Sequence, residues 1–360
     1  MRASDSSFEQ WLHAPMDEES PDPRFEARRA RPEDFDAIFD LVDEVFGTKR
    51  PRARYDWLYR RNPYGFARCW ITLDKETREI VANQSYWPWP TALGEERVYG
   101  ALSGDAVVVR GLQRQRVSHL RMAVHRRHPS RGAEVVFAWL NERSVRRLHT
   151  QQRTGRLQGP LPRRVLQLSA RKRLARRGWP RPLAFGVGPV LDAADALRRR
   201  ARGGLRVEDV TRFDERFDAL SWRSMRWDRL WFPRDSEFLN WRYPGHPSHE
   251  YRSLALLEGD DDLVAYCVLR LDGRVATLME FAATDGTETA LLAAARRAAR
   301  ESGCARLEIF ATPGWKRWPL FDHAGFLERP SIHYLYLRIH EAEQARLEEW
   351  QLLPGDHDDV

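Results

Sequence analysis

Only three cysteines, Cys69, Cys267 and Cys304, occur in 360 residues, and none stands in a CxxC or Cys/His spacing. An odd, dispersed set argues against a disulfide framework or a cysteine-based zinc site, so no metal is expected, and it points to a reducing cytoplasm. Lysine is almost as scarce, with Lys49, Lys75, Lys172 and Lys316 the four lysines among 59 Lys+Arg. Either side chain serves a phosphate surface, so this skew reads as GC-rich coding rather than selection for phosphate. No stretch approaches the roughly 18 consecutive apolar residues of a membrane span, and mean hydropathy is −0.63. Met1 to Pro23 is polar and acidic, with Asp17, Glu18, Glu19 and Asp22. It lacks an apolar h-region, so residues 1–23 are expected to be a flexible N-terminus without a secretory signal.

What is present is enough apolar sequence, 42%, for sizeable cores, and a length that suits two domains or one large one. The net charge of +7 is concentrated in one place. Between Gln151 and Arg206 the basic residues exceed the acidic ones by 13, which leaves the remainder of the chain at −6. Arg163-Arg164, Arg171-Lys172-Arg173, Arg176-Arg177 and Arg198-Arg199-Arg200 alternate there with apolar residues, and Val190 to Arg202 has the spacing of a helix. The segment reads either as a solvated connector over 161–206 or as a surface, within 163–200, for anionic lipid, a polyanion or an acidic partner. Nucleic acid is disfavoured: no helix-turn-helix pattern occurs, few aromatics accompany the arginines, and an acidic remainder would repel phosphate.

An internal repeat supplies the organisation. Trp57-Leu58-Tyr59 through Pro63 and Trp241-Arg242-Tyr243 through Pro247 both read W-x-Y-x-x-x-P, 184 residues apart. Upstream, Phe35-Asp36-Ala37-Ile38 matches Phe217-Asp218-Ala219-Leu220. Each copy then shows the same order. An amphipathic helix comes first (Pro32 to Phe46 in copy one), followed by the W-x-Y segment and a hairpin of apolar runs around an acidic turn. A further strand (Asp105–Val109; Ala276–Phe281), a helix (Val117–Arg126; Thr287–Glu301) and another strand (Glu134–Leu140; Ala305–Phe310) complete it. Strand, helix, strand implies a parallel pair with a right-handed crossover, so each copy is an α/β unit with a mixed sheet. The expected boundaries are 24–160 and 207–340 for the two units, with a C-terminal helix and tail over 341–360.

This order resembles the GNAT acyltransferase superfamily, and the pairing resembles bacterial proteins with two GNAT units in one chain. Val107-Val108-Val109-Arg110-Gly111-Leu112 followed by Gln113-Arg114-Gln115-Arg116-Val117-Ser118 is similar to that family's motif A, with Arg116 and Ser118 where small residues are usual. Asn141-Glu142-Arg143-Ser144 is similar to the N-x-x-S that opens its next helix. The resemblance implies transfer of an acyl group from acetyl-CoA or another acyl-CoA to an amine acceptor, the pyrophosphate resting on a helix N-terminus. It implies binding residues Val109, Gln113, Arg114, Gln115, Arg116, Val117, Ser118, Asn141 and Ser144. It also implies that the pantetheine arm lies between two splayed parallel strands. In copy two, Phe281 to Ala290 holds one glycine in the motif's place, which suits a companion unit.

An acceptor amine must lose its proton before or as it attacks the thioester, so a base or an ordered water is needed. Glu280, closing the strand-like Ala276–Glu280, is one candidate, with an ion-paired strand-end carboxylate as the alternative. Asp105 stands in the matching place of copy one and reads equally as a turn residue. Tyr336, on the final strand-like Ile332–Ile339, is a candidate proton donor or a packing residue. Tyr86-Trp87-Pro88-Trp89-Pro90 reads as part of an acceptor pocket or as cover for an edge strand, and the W-x-Y aromatics as core or groove lining. A non-catalytic pair that binds a partner through the arginine-rich segment is the competing reading.

Overall fold

The computed structural model describes residues 22–93, 95–113, 117, 135–140, 144–145, 156–158, 160–169, 204–223, 230–339 and 352–356. It divides into two compact units, Met1–Gln158 with Leu335–Gln344 and Gly159–Tyr334 with Ala345–Val360.

In the first unit, β1 (Phe25–Arg29) is followed by α1 (Phe35–Phe46) and α2 (Arg52–Tyr59). Helix α1 buries Phe35, Ile38, Phe39, Leu41 and Val42 along one stripe. It ends at Gly47, whose φ of +68° is the left-handed cap that glycine adopts at little cost. Strands β2 (Arg68–Asp74), β3 (Ile80–Leu93), β4 (Glu96–Val108) and β5 (Val135–Leu140) follow, then β6 (Arg156–Gln158). The sheet runs β1-β2-β3-β4-β5, then a strand from the far end of the chain, β15 (Tyr334–Ile339), then β6. Pairs β1/β2, β2/β3 and β3/β4 are antiparallel, and β4/β5 is parallel.

The second unit opens with β7 (Arg163–Gln167) and β8 (Leu205–Val210), then α3 (Glu215–Arg223), β9 (Leu230–Trp231) and α4 (Ser236–Arg242). Strands β10 (Tyr251–Glu258), β11 (Asp262–Asp272) and β12 (Val275–Ala283) lead to α5 (Glu288–Glu301) and β13 (Arg306–Phe310). Helix α6 (Trp318–His323) and β14 (Leu327–Arg329) complete it. Its seven strands run β14-β7-β13-β12-β11-β10-β8, with β12/β13 parallel. Helix α5 lays Leu291, Leu292, Ala295, Ala298 and Ala299 on a core that includes Leu256, Val264, Leu269, Leu278, Leu307 and Ile309. Its alanines let helix and sheet approach closely while paying little side-chain entropy.

Both units are thus the mixed α/β sheets that the element order predicts, but the boundaries differ from those expected. Residues 163–167, assigned to a connector, form β7 of the second sheet. The last strand, assigned to the second unit, lies in the first sheet and pairs Tyr336 with Leu157. The arginines of β7 hid its strand character. They are compensated locally: Arg163 donates to Glu308 at 2.6 Å, and Arg164 pairs with Asp322 at 2.8 Å and Glu328 at 2.9 Å. These two are therefore spent inside their own unit rather than offered to an anionic surface. The remaining clusters, at 171–200, lie outside the described residues, as do the expected helices over 118–126 and 190–202 and residues 1–21. Within the expected C-terminal helix, Pro354–Asp356 is a 3-10 turn. Among the described residues no helix is long and apolar enough to cross a membrane.

Trp87 and Trp89 lie in β3, an interior strand, and both are buried, so the aromatic run does not cover an edge. Pro88 and Pro90 follow the end of the β2 ladder at Tyr86, where their missing N–H groups cost that ladder nothing. The indole of Trp87 crosses Gly104 so closely that a Cβ there would sit 2.3 Å from two ring carbons. Gly104→Ala is expected to cost roughly 1–3 kcal/mol by overpacking, read as a lowered urea midpoint.

Candidate functional site

The parallel ladders are short. In the first unit β4 and β5 pair over Gly100↔Val135, Ala101↔Val136 and Leu102↔Phe137 and then part, although both strands continue. In the second unit β12 and β13 pair from Val275↔Arg306 to Thr277↔Glu308 and part likewise. Just beyond each parting the long strand is bulged. Asp105 and Ala106 together oppose one residue of β3, between Asn83↔Val107 and Ser85↔Gly104. In β12 an extra residue, Met279, separates the pairs Val268↔Glu280 and Leu269↔Leu278. Bulges of this kind re-aim a side chain beside a site.

Each bulge aims a carboxylate inward. Asp105 takes a φ of +44°, a conformation that costs a non-glycine residue energy and that aspartate tolerates better than most. Asn83 braces it by donating Nδ2 to the Asp105 carbonyl at 3.0 Å. Tyr59 donates its hydroxyl to Asp105 Oδ2 at 2.7 Å, and Arg50 Nη1 donates to Oδ1 at 2.8 Å. The second unit repeats this. Tyr243 donates to Glu280 Oε1 at 2.7 Å, and Arg234 Nε donates to the same oxygen at 2.9 Å. Tyr59 and Tyr243 are the tyrosines of the two W-x-Y segments, and Arg50 and Arg234 stand at the same 184-residue offset. The repeated pattern is therefore R-x6-W-x-Y. A short helix, α2 or α4, separates arginine from tyrosine, so that both reach one carboxylate.

Packing fixes the tyrosines. The Tyr59 ring meets Phe39 and Trp87 edge-on, with centroids 4.8 and 5.7 Å apart. Burial, reinforced by Asp105, raises the Tyr59 hydroxyl well above its usual range, so it stays a proton donor to the carboxylate. Tyr243 is raised in the same way, by burial and then by Glu280. Burial also lifts Glu280, and the carboxylate of Asp356 pushes in the same direction against Arg234. Arg234 bridges the two acids, its Nη2 donating to Asp356 Oδ1 at 2.7 Å. Burial disfavours its charge, but Asp356 and Glu280 hold it well above the usual arginine value. The cysteines are inert core: burial raises Cys69 and Cys304, and pushes Cys267 up to about 12.

The residues implied for cofactor binding fall in several places. Val109 precedes a 3-10 turn at Arg110–Leu112, with its N–H donating to Val81 O at 2.9 Å. Gln113 closes that turn and donates Nε2 to Val108 O at 3.3 Å. The side chains of Val109 and Val117 pack with Phe25, Val81 and Ala82, so they face the core. Ser144 lies in a helical turn beyond β5. Arg114, Gln115, Arg116, Ser118 and Asn141 lie outside the described residues. Tyr336 is half-buried in the first sheet and so shares no strand with Glu280. In the second unit the start of α5 is already met by the chain itself. Gly286 N donates to Glu288 Oε2 at 2.8 Å, Arg317 pairs with Glu288, and Arg317 Nη2 donates to Ala283 O at 3.1 Å. Among the described residues no cluster of His, Cys, Asp and Glu could hold a metal ion.

The sequence reading places Asp105 and Glu280 as candidate acids but misses Arg50, Arg234 and Asp356. The two tyrosines, expected as core or groove lining, are donors to these carboxylates. The matching offset of the arginines was the available signal for two of the three.

No family model matches the chain, and no curated relative matches it by sequence; its likeness to known proteins is structural. A conserved protein of unknown function from Enterococcus faecalis superposes with a TM-score of 0.62 at 12% identity, over 88% of this chain and 72% of that one. A GCN5-related N-acetyltransferase from Anabaena variabilis gives 0.60 at 9% identity, over 88% and 73%. The Saccharomyces cerevisiae N-myristoyltransferase with bound myristoyl-CoA gives 0.53 at 14% identity, over 92% and 86%. This chain has the GNAT fold, in two mixed α/β units.

Proposed function

We propose that the protein is an N-acyltransferase whose first unit takes an acyl-CoA between β4 and β5 and passes the acyl group to an amine. The observation that carries this reading is the parting of the parallel ladder beyond Leu102/Phe137 beside a buried, braced Asp105. When bound, the thioester supplies an activated acyl carbon and a thiolate leaving group. The chain's own part is to position and to manage protons. Asp105, held by Tyr59 on one oxygen and Arg50 on the other, is a fixed negative charge at the parting of the strands. It stabilises the ammonium that develops as the amine attacks and draws off its proton, directly or through a water. The C–N bond forms as the C–S bond breaks, and the thiolate is protonated on release.

The second unit suits this role less. Glu288 and Arg317 occupy the helix N-terminus where a pyrophosphate would sit, and Asp356 already engages the arginine beside Glu280. Calorimetric titration of the full chain with acetyl-CoA and with myristoyl-CoA tests the proposal. One binding site for at least one of them is expected, and no heat or thermal shift at millimolar ligand overturns it.

A further inference from the structure

Beyond Thr277/Glu308, where β12 and β13 part, the second unit holds a segment of its own chain, Leu352 to Asp356, in which Leu352, Leu353, Gly355 and Asp356 each meet a matching receptor. Leu352 pairs with Thr312, just past β13: Thr312 N donates to Leu352 O and Leu352 N to Thr312 Oγ1, both at 3.4 Å. The Leu352 side chain is fully buried, and Leu353 packs against the main core. Arg242 Nε, on a side chain only 1% exposed, donates to the Gly355 carbonyl at 3.0 Å. The Cα of Gly355 fits a gap that admits no side chain, since a Cβ would lie 2.2 Å from Glu280 Oε1 and 2.4 Å from Tyr243 Oη. Asp356 Oδ1 accepts from Arg234, and its Oδ2 accepts from Leu353 N at 3.1 Å, closing the turn. Nearby, the buried Tyr266 hydroxyl has no hydrogen-bond partner among the described residues, and it lies within the electrostatic reach of Glu280, Arg234 and Asp356.

A socket for a leucine, a donor for a backbone carbonyl, a gap that only glycine fits and a buried guanidinium for a carboxylate are the elements of peptide recognition. We propose that the cleft of the second unit is a peptide-binding site for a segment of the form Leu-Leu-Pro-Gly-Asp that turns at its last three residues, with residues 352–356 of this chain as its resident ligand. The same R-x6-W-x-Y framework that braces Asp105 in the first unit here builds a carboxylate receptor. This inference does not depend on the acyl-transfer reading, because its readouts involve no acyl-CoA.

Hydrogen exchange on the full chain is the first test. Amides of 352–356 should be protected at least tenfold over unstructured peptide, and Asp356→Asn should remove most of that protection. Exchange at the unstructured rate in the wild-type chain overturns the proposal, whatever the variants do. The second test uses full-length Gly355→Val, in which the added side chain expels the segment. A synthetic peptide of residues 352–360 should bind this variant at least tenfold more tightly than it binds wild type, and its Asp356→Asn form tenfold more weakly. A Gly355→Val chain that unfolds cooperatively but binds neither peptide overturns the proposal. Should that variant fail to fold, the exchange comparison of wild type with Asp356→Asn decides alone.

Discussion

Arg234→Met should destabilise the second unit by about 3–5 kcal/mol at neutral pH, one of the two largest effects expected of any single substitution in the protein. Arg234 is 11% exposed and lies between Glu280 at 2% and Asp356 at 0%. Methionine fills most of the volume but removes the guanidinium that bridges two buried carboxylates, and removing one partner of a buried ion pair is far costlier than losing a contact. The pH dependence gives the prediction its sign. Burial and Asp356 raise Glu280 in the folded chain above its ordinary 4.5. Its favourable contribution is therefore full below 4.5 and is lost as pH rises through the folded value. Arg234 lowers Glu280, so without it that carboxyl is raised further and takes up a proton in the folded state more readily as pH falls. The difference between wild type and Arg234→Met in urea unfolding should be large at pH 7.5 and shrink at pH 5. A difference independent of pH would mean that packing rather than charge sets the loss.

Asp105→Asn should cut acyl transfer by roughly 10²–10⁴-fold, the usual range for removing a general base, while changing acyl-CoA affinity little. Asparagine is isosteric and can still accept from Tyr59, so the fold should persist with a thermal midpoint lowered by a few degrees, as loss of one charge-assisted hydrogen bond warrants. The measurement is the rate of thiol release from acyl-CoA with an amine that the wild-type chain accepts, beside the binding constant for the same thioester. Glu280→Gln, made in parallel, should leave the rate within about twofold, since the proposed chemistry belongs to the first unit. An unchanged rate in Asp105→Asn removes that residue from the reaction. A rate lost only in Glu280→Gln moves the chemistry to the second unit.

How much of this was legible beforehand depends on the range of the interaction concerned. Helix α1, the hairpins β2/β3 and β10/β11, and α5 follow local periodicity and are readable from the chain. The duplicated aromatic segment is readable too, because Trp57 and Tyr59 must both be buried in the same helix-end geometry as Trp241 and Tyr243. The arginine of the motif escapes notice because none of the six residues between it and the tryptophan is the same in the two copies. The acids escape the repeat for another reason. Asp105 and Glu280 lie 175 residues apart rather than 184, because the β3/β4 hairpin of the first unit is longer than its counterpart β11/β12. Arg234 and Asp356, 122 positions apart, carry no local signal at all. Strand β7 fails in the opposite sense: its Arg163-Arg164 pair reads as solvent-facing until Glu308, Asp322 and Glu328 are found opposite it.

The placement of β15 in the first sheet and of β7 in the second has a consequence for truncation. A gene cut at the seam of the repeat would yield a leading fragment in which β5 has lost its neighbour, an open row of amides and carbonyls that invites aggregation. The leading half of the repeat is therefore expected to be incomplete when cut away on its own, because its sheet takes a strand from the far end of the chain.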